Sequence, residues 1–273
     1  MTKKLIVSNW KNHPDSLSEA EQILDSVDEY LGSLNEKELS LIFCPPFVFT
    51  EEVGKILKTS HLVHQAELGA QDISMDDSAA LTGEVSGSML RKLGAKYVIV
   101  GHSERRWKLG ESDEVVNKKL KAVLRNEMVP IVYVGERTRD EDFKDFLKEQ
   151  TLNTFAGLSS DEVARCVVAY EPVWAISRPA ADIALGVEPQ GPVPILNPDT
   201  PKSALESISL IRETLITNYQ LPITNKFLYG GSVTSRNARE FLGSEGVDGV
   251  LVGGASVNKE EFVKILATVS KIL

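Results

Sequence analysis

Tyr97–Arg106 reads YVIVGHSERR. Its four leading apolar residues run without polar alternation, which suits a strand covered on both faces. A glycine ends the run, and Ser103-Glu104-Arg105 then opens a helix. VVAY at Val167–Tyr170 repeats the strand half of this pattern. Working outward, similar runs occur at Leu5–Ser8, Leu39–Cys44, Ala66–Gln71, Pro130–Val134, Phe227–Tyr229 and Gly249–Val252; with Tyr97–Gly101 and Val167–Tyr170 they make eight predicted strands.

Amphipathic stretches fill the intervals. Ser16 with Glu19 has capping-box spacing and opens a run whose Ile23, Leu24, Val27 and Leu31 share one face. Asn258 with Glu261 opens the last helix, where Phe262, Ile265, Leu266 and Val269 form the apolar stripe. Val115, Val116, Leu120, Val123 and Leu124 form another, with the lysines opposite read as a solvated face. Eight strand-then-helix units predict an α/β fold, a single (β/α)8 TIM barrel over residues 1–273, in preference to an open doubly wound sheet. One stretch breaks the rhythm. Six of the twelve prolines lie between Pro179 and Pro201, so residues 180–198 are predicted to be an insertion in the loop after the sixth strand.

Composition narrows the function. The 273 residues are 42% hydrophobic and 25% charged, as in an ordinary globular domain. Thirty Lys and Arg against thirty-nine Asp and Glu leave a net charge of −9, which repels phosphate backbones and predicts no nucleic-acid partner. Cys44 and Cys166, at no metal-ligand spacing, fit a reducing compartment. Leu5–Val7 is too short for the apolar region of a leader, and no run approaches a membrane span. A cytoplasmic protein without membrane attachment is expected.

Chemistry in such a barrel gathers at the C-terminal ends of the strands. Asn9 and Lys11 follow the first, His102 the fourth, Glu171 the sixth, Ser232 the seventh, and Gly253-Gly254 the eighth. This set holds a carboxylate, an imidazole, an ammonium, an amide and glycine-rich backbone donors. It has no metal-ligand cluster and no GxGxxG turn, so neither a metal nor a cofactor is expected. Taken alone, Glu171 is as readily an ion-paired residue at a strand end as a base. His61 and His64, outside any motif, read as hydrogen-bonded core histidines, whereas His13 lies on the first active-site loop.

SNWK (Ser8–Lys11), YVIVGHSERR, VGE (Val134–Glu136), AYEPVWAI (Ala169–Ile176), YGGSV (Tyr229–Val233) and DGVLVGGAS (Asp248–Ser256) together resemble the triosephosphate isomerase family in order and spacing. The resemblance implies cofactor-free aldose–ketose isomerisation of a small phosphorylated sugar, with triose phosphate as substrate. It assigns Glu171 as the base that shuttles a proton between adjacent carbons, and His102 as the group that polarises the carbonyl. It also implies a neutral imidazole at a helix N-terminus, the arrangement established for this family. Lys11 then supplies fixed positive charge and Asn9 an orienting amide. Glu104, Ser103, Glu136 and Tyr229 stand behind them. Backbone N–H groups at Ser177, Ser232, Gly253 and Gly254 would hold the phosphate. A homodimer through the third loop, residues 71–84, is implied, with Thr82 as its contact residue.

The chain departs from the family at several points. Ser177, Arg178 and Pro179 replace a Gly-Thr-Gly lid, and the insertion adds roughly seventeen residues to that loop. Asn12-His13-Pro14 replaces Met-Asn-Gly, Ala79 a glycine, Leu81 an aromatic, and Tyr133 a common cysteine. The altered lid keeps two alternatives open: a four-carbon ketose phosphate such as an erythrulose phosphate as substrate, or a barrel that binds a sugar phosphate without turnover.

Overall fold

The computed structural model describes residues 3–32, 39–176, 199–220 and 225–269. Eight strands close a parallel barrel in chain order: β1 (Lys4–Asn9), β2 (Leu39–Cys44), β3 (Ala66–Ala70), β4 (Tyr97–Val100), β5 (Val129–Val134), β6 (Val167–Tyr170), β7 (Phe227–Tyr229) and β8 (Gly249–Val252). The pairing of Leu5 with Gly249 closes the cylinder. Gly249 has to be glycine there, because a Cβ would lie 1.9 Å from the Leu5 carbonyl oxygen. Every predicted strand is present. The end shifts are small: Gly101 leaves β4 because its φ is +73°, and Gln71 turns out of β3.

Helices α1 (Leu17–Gly32), α2 (Thr50–Thr59), α3 (Gly87–Leu93), α4 (Ser103–Lys108), α5 (Asp113–Arg125), α6 (Phe143–Phe155), α7 (Ser160–Ala164), α8 (Pro201–Tyr219), α9 (Ala238–Leu242) and α10 (Lys259–Val269) alternate with the strands. Strand side chains divide by parity. Leu5, Val7, Ile131, Tyr133, Ala169 and Leu251 fill the barrel interior. Ile6, Val132, Val134 and Val250 point outward and pack with helix residues such as Leu24, Leu120 and Phe262. Strands buried on both faces explain the unalternating apolar runs, each large apolar side chain contributing about 1.5–3 kcal/mol on burial.

Helix starts follow the caps in part. Ser16 Oγ accepts from Glu19 N at 3.3 Å and Asn258 Oδ1 from Glu261 N at 3.0 Å. The Glu261 carboxylate, however, turns away from its own helix start to accept from Ser235 N at 2.7 Å. A reciprocal capping box forms at Ser159 and Glu162, ahead of α7.

Two expectations are corrected. The lysines of α5 do not all face solvent: Lys119 is 4% exposed and bonds Asp72 at 2.7 Å and Glu111 at 2.6 Å. Loops from outside the helix bring those carboxylates to it, which the helical period does not register. His61 and His64 are surface residues, not core ones. His61 bonds Asp28 at 3.2 Å while remaining largely in solvent. Ser177, Arg178, Pro179 and the insertion at 180–198 lie outside the described residues. The chain enters that segment after β6 and leaves it before α8, whose Thr200 N-cap and Pro201 mark a helix start.

Candidate active site

Five strand ends build the mouth of the barrel. β1 ends in Asn9, and two residues later Lys11 adopts φ 54°, in the left-handed region disfavoured for a side chain. Such a backbone costs of order 1–3 kcal/mol and persists only under constraint. Here the constraint is explicit. Asn9 Oδ1 accepts from Lys11 N at 3.1 Å, Gln71 Nε2 donates to Lys11 O at 2.8 Å, and Lys11 Nζ bonds Glu104 Oε1 at 2.7 Å. The ammonium is thereby pinned at the mouth. Gln71 had no assigned role; its signal was its place directly after a strand.

β4 delivers His102 as the N-cap of α4. The backbone N–H of Glu104 donates to His102 Nδ1 at 3.1 Å, so the ring proton is assigned to Nε2. Burial, with the Lys11 charge adding to it, lowers the imidazole pKa to about 3 and keeps it neutral. Its Nε2–H lies 3.2 Å from Glu171 Oε1. Burial pushes the Glu104 carboxyl up, but Lys11 and His102 outweigh this and hold it below its usual range.

Glu171 follows β6 and is 3% exposed. Its Oε2 accepts from Ser103 N at 2.8 Å, at the start of α4. Burial raises its pKa to about 8, against the lowering effect of that N–H and of Lys11. The backbone beneath is tight: a Cβ on Gly135 would lie 1.8 Å from the Glu171 carbonyl oxygen. The arrangement is a basic carboxylate and a neutral imidazole donor converging on one buried point, with a fixed ammonium beside them.

The glycine loops border the same space. A Cβ on Gly253 would lie 3.4 Å from Lys11 Cε, and one on Gly230 would lie 3.7 Å from Glu171 Cβ. Gly254 begins a short 3-10 turn, Gly254–Ser256, and Ser232 is half-buried in the loop after β7. Ser177 lies outside the described residues.

Two predicted supporting residues do not join the cluster. Glu136 anchors a neighbouring group, its Oε1 accepting from Tyr170 Oη at 2.8 Å, Trp174 Nε1 at 2.9 Å and Arg139 at 2.9 Å. Tyr229 stacks on Phe241 in the outer core. Tyr133 also contacts His102, with ring centroids 4.8 Å apart. Its departure from the usual residue was visible in the sequence, but its neighbour was not.

The profile of the triosephosphate isomerase family matches residues 4–269. A triosephosphate isomerase of Saccharopolyspora erythraea is 40% identical, covering 96% of this chain and 95% of that protein. One from Thermoanaerobacter sp. is 36% identical, covering 97% and 99%. Among solved structures, triosephosphate isomerase from Bartonella henselae superposes with a TM-score of 0.78 at 27% identity, covering 97% of this chain and 98% of that one.

Proposed function

The chain belongs to the triosephosphate isomerase family, and from that premise we propose that Asn9, Lys11, His102 and Glu171 interconvert dihydroxyacetone phosphate and glyceraldehyde 3-phosphate. The observation that carries the assignment is the buried Glu171–His102 pair at 3.2 Å, a base of raised pKa facing a neutral N–H donor.

Glu171 removes a proton from C1 of the ketone, and the C–H electron pair forms the C1–C2 double bond as the carbonyl π electrons move onto O2. His102 Nε2–H and Lys11 stabilise the resulting enediolate oxygen, and the Asn9 amide orients it. Returning the proton to C2, with the hydroxyl proton passing from O1 to O2, gives the aldehyde. Electrons stay within the substrate, so no redox cofactor takes part. The carboxylate leans on Ser103 N and His102 Nε2, and substrate takes the place of those partners. The phosphate is held by backbone N–H groups at Ser232, Gly253 and Gly254, next to Lys11. Ser177 would add another. Glu104 fixes Lys11 at 2.7 Å and orders the imidazole through its own N–H.

A coupled assay with dihydroxyacetone phosphate and a four-carbon ketose phosphate tests the reading. Turnover of the triose phosphate is expected; turnover of the four-carbon compound alone would replace the substrate, and binding without turnover would replace the enzyme.

The chain works as a homodimer through the Thr82 loop. Thr82 is exposed, and the apolar Phe47, Val48, Met75, Leu81 and Met89 are exposed on α3 and on the segments after the adjacent strands β2 and β3. Leu81 at 52% and Val48 at 81% exposure are the side chains that a partner would cover. Sedimentation at micromolar concentration is expected to give twice the chain mass of 30.0 kDa, and a monomer there would refute it. Work in the cytoplasm fits the two free, buried cysteines. Among the described residues no helix is long and apolar enough to cross a membrane.

A further inference from the structure

Tyr133 is the next-to-last residue of β5 and packs in the barrel interior, with Ala169 as its register neighbour on β6. The ring meets His102 at 4.8 Å between centroids, with the planes 53° apart. A Cβ on Gly230 would lie 3.8 Å from Tyr133 Cε1 and 3.7 Å from Glu171 Cβ, so the ring also borders the base. Its hydroxyl is buried. It faces the Asn9 side-chain amide, with the Glu171 carboxylate also nearby. Asn9 Oδ1 accepts from Lys11 N at 3.1 Å, which leaves the amide N–H side towards the Tyr133 oxygen.

We propose that Tyr133 is a positioning residue for the isomerisation: its ring backs the His102 imidazole, and its hydroxyl rests against the Asn9 amide and holds that side chain in place for the substrate oxygen. This rests on the isomerase reading above. A cysteine, common at this position in the family, is too short to fill the same role.

The test is Tyr133→Phe, which removes only the hydroxyl, measured alone and in an Asn9→Ala background. The expected result is an unchanged or higher Tm with kcat lowered roughly tenfold and KM changed less, since the phosphate is held elsewhere. In the Asn9→Ala background the same substitution should have no further effect on kcat, because the hydroxyl acts through that amide. Tyr133→Leu, which also removes the ring face from His102, should lower kcat further. Unchanged kcat in Tyr133→Phe beside an active wild type overturns this inference alone. An equal kcat loss with and without Asn9 also overturns it. A wild type that turns over no triose phosphate overturns the isomerase reading and this inference with it.

Discussion

Two buried polar regions flank α4, and they are built on opposite rules. Behind the helix, Arg105 and Lys119 meet Asp72 and Glu111: Lys119 bonds both acids at 2.6–2.8 Å, and Arg105 bonds Asp72 at 2.8 Å and Glu111 at 2.7 Å. Two cations answer two carboxylates. In the mouth, Glu171 instead meets neutral donors, the Ser103 backbone N–H and the His102 imidazole N–H among them. Burial pushes Asp72 up as well, but the Lys119 and Arg105 charges pull against it directly. Among the described residues no cation is bonded to Glu171, and its pKa rises to about 8. Buried charges that are paired hold structure together, whereas a buried carboxylate left to neutral donors keeps its basicity for chemistry.

Substitutions can break this contrast. Glu171→Gln should leave a folded protein whose turnover is lower by at least ~10²–10⁴-fold, measured in the coupled assay. Near-wild-type activity would remove the base from Glu171. Lys119→Met should act on folding instead, stranding Asp72 and Glu111 and costing about 3–5 kcal/mol, read as a fall in Tm. The remaining folded protein should turn over substrate far better than Glu171→Gln does. Comparable losses of turnover in the two variants would erase the distinction between the regions.

A pH series sharpens it. Glu171 has a folded pKa of about 8 against an ordinary value of 4.5, so the folded state binds more protons between those values. Stability attributable to this group is therefore greatest below 4.5 and falls as pH rises towards 8. The Tm advantage of Glu171→Gln over wild type should widen across that window; a constant difference would contradict the burial argument. The smallest effect belongs to Lys118→Met. Its partner Glu114 is 2.7 Å away with both side chains mostly in solvent, and calorimetry should resolve no shift. A clear loss there would mean that exposure does not separate the two neighbouring lysines.

Lys118 and Lys119 also mark where reading the chain stops. Strand positions were legible because a run such as VVAY carries its own signal: both faces are covered, so the apolar pattern is local. His102 and Glu171 were legible because strand ends of a barrel converge, which places residues far apart in sequence at one mouth. Glu136 follows a neighbouring strand, as Glu171 does, but its carboxylate partners, Tyr170, Trp174 and Arg139, could not be read from the chain. Tyr133 could be marked as unusual, but its ring contact with His102 joins two strand ends 31 residues apart in sequence (133 − 102), which no local pattern registers.

The sequence by itself determined the alternation of strands and helices, the closed barrel, the family and the four residues at the centre of the mouth. These follow from short-range periodicity and from motifs at fixed places in the chain. Only the tertiary structure decided which titratable groups are paired. Lys119 and Asp72 are 47 residues apart, Lys11 and Glu104 are 93 apart, and Ser103 and Glu171 are 68 apart. A buried charge takes its free energy from partners within a few ångströms, and folding brings those partners from elsewhere in the chain. The left-handed backbone of Lys11 has the same origin, because the groups that hold it come from β1, the segment after β3 and α4.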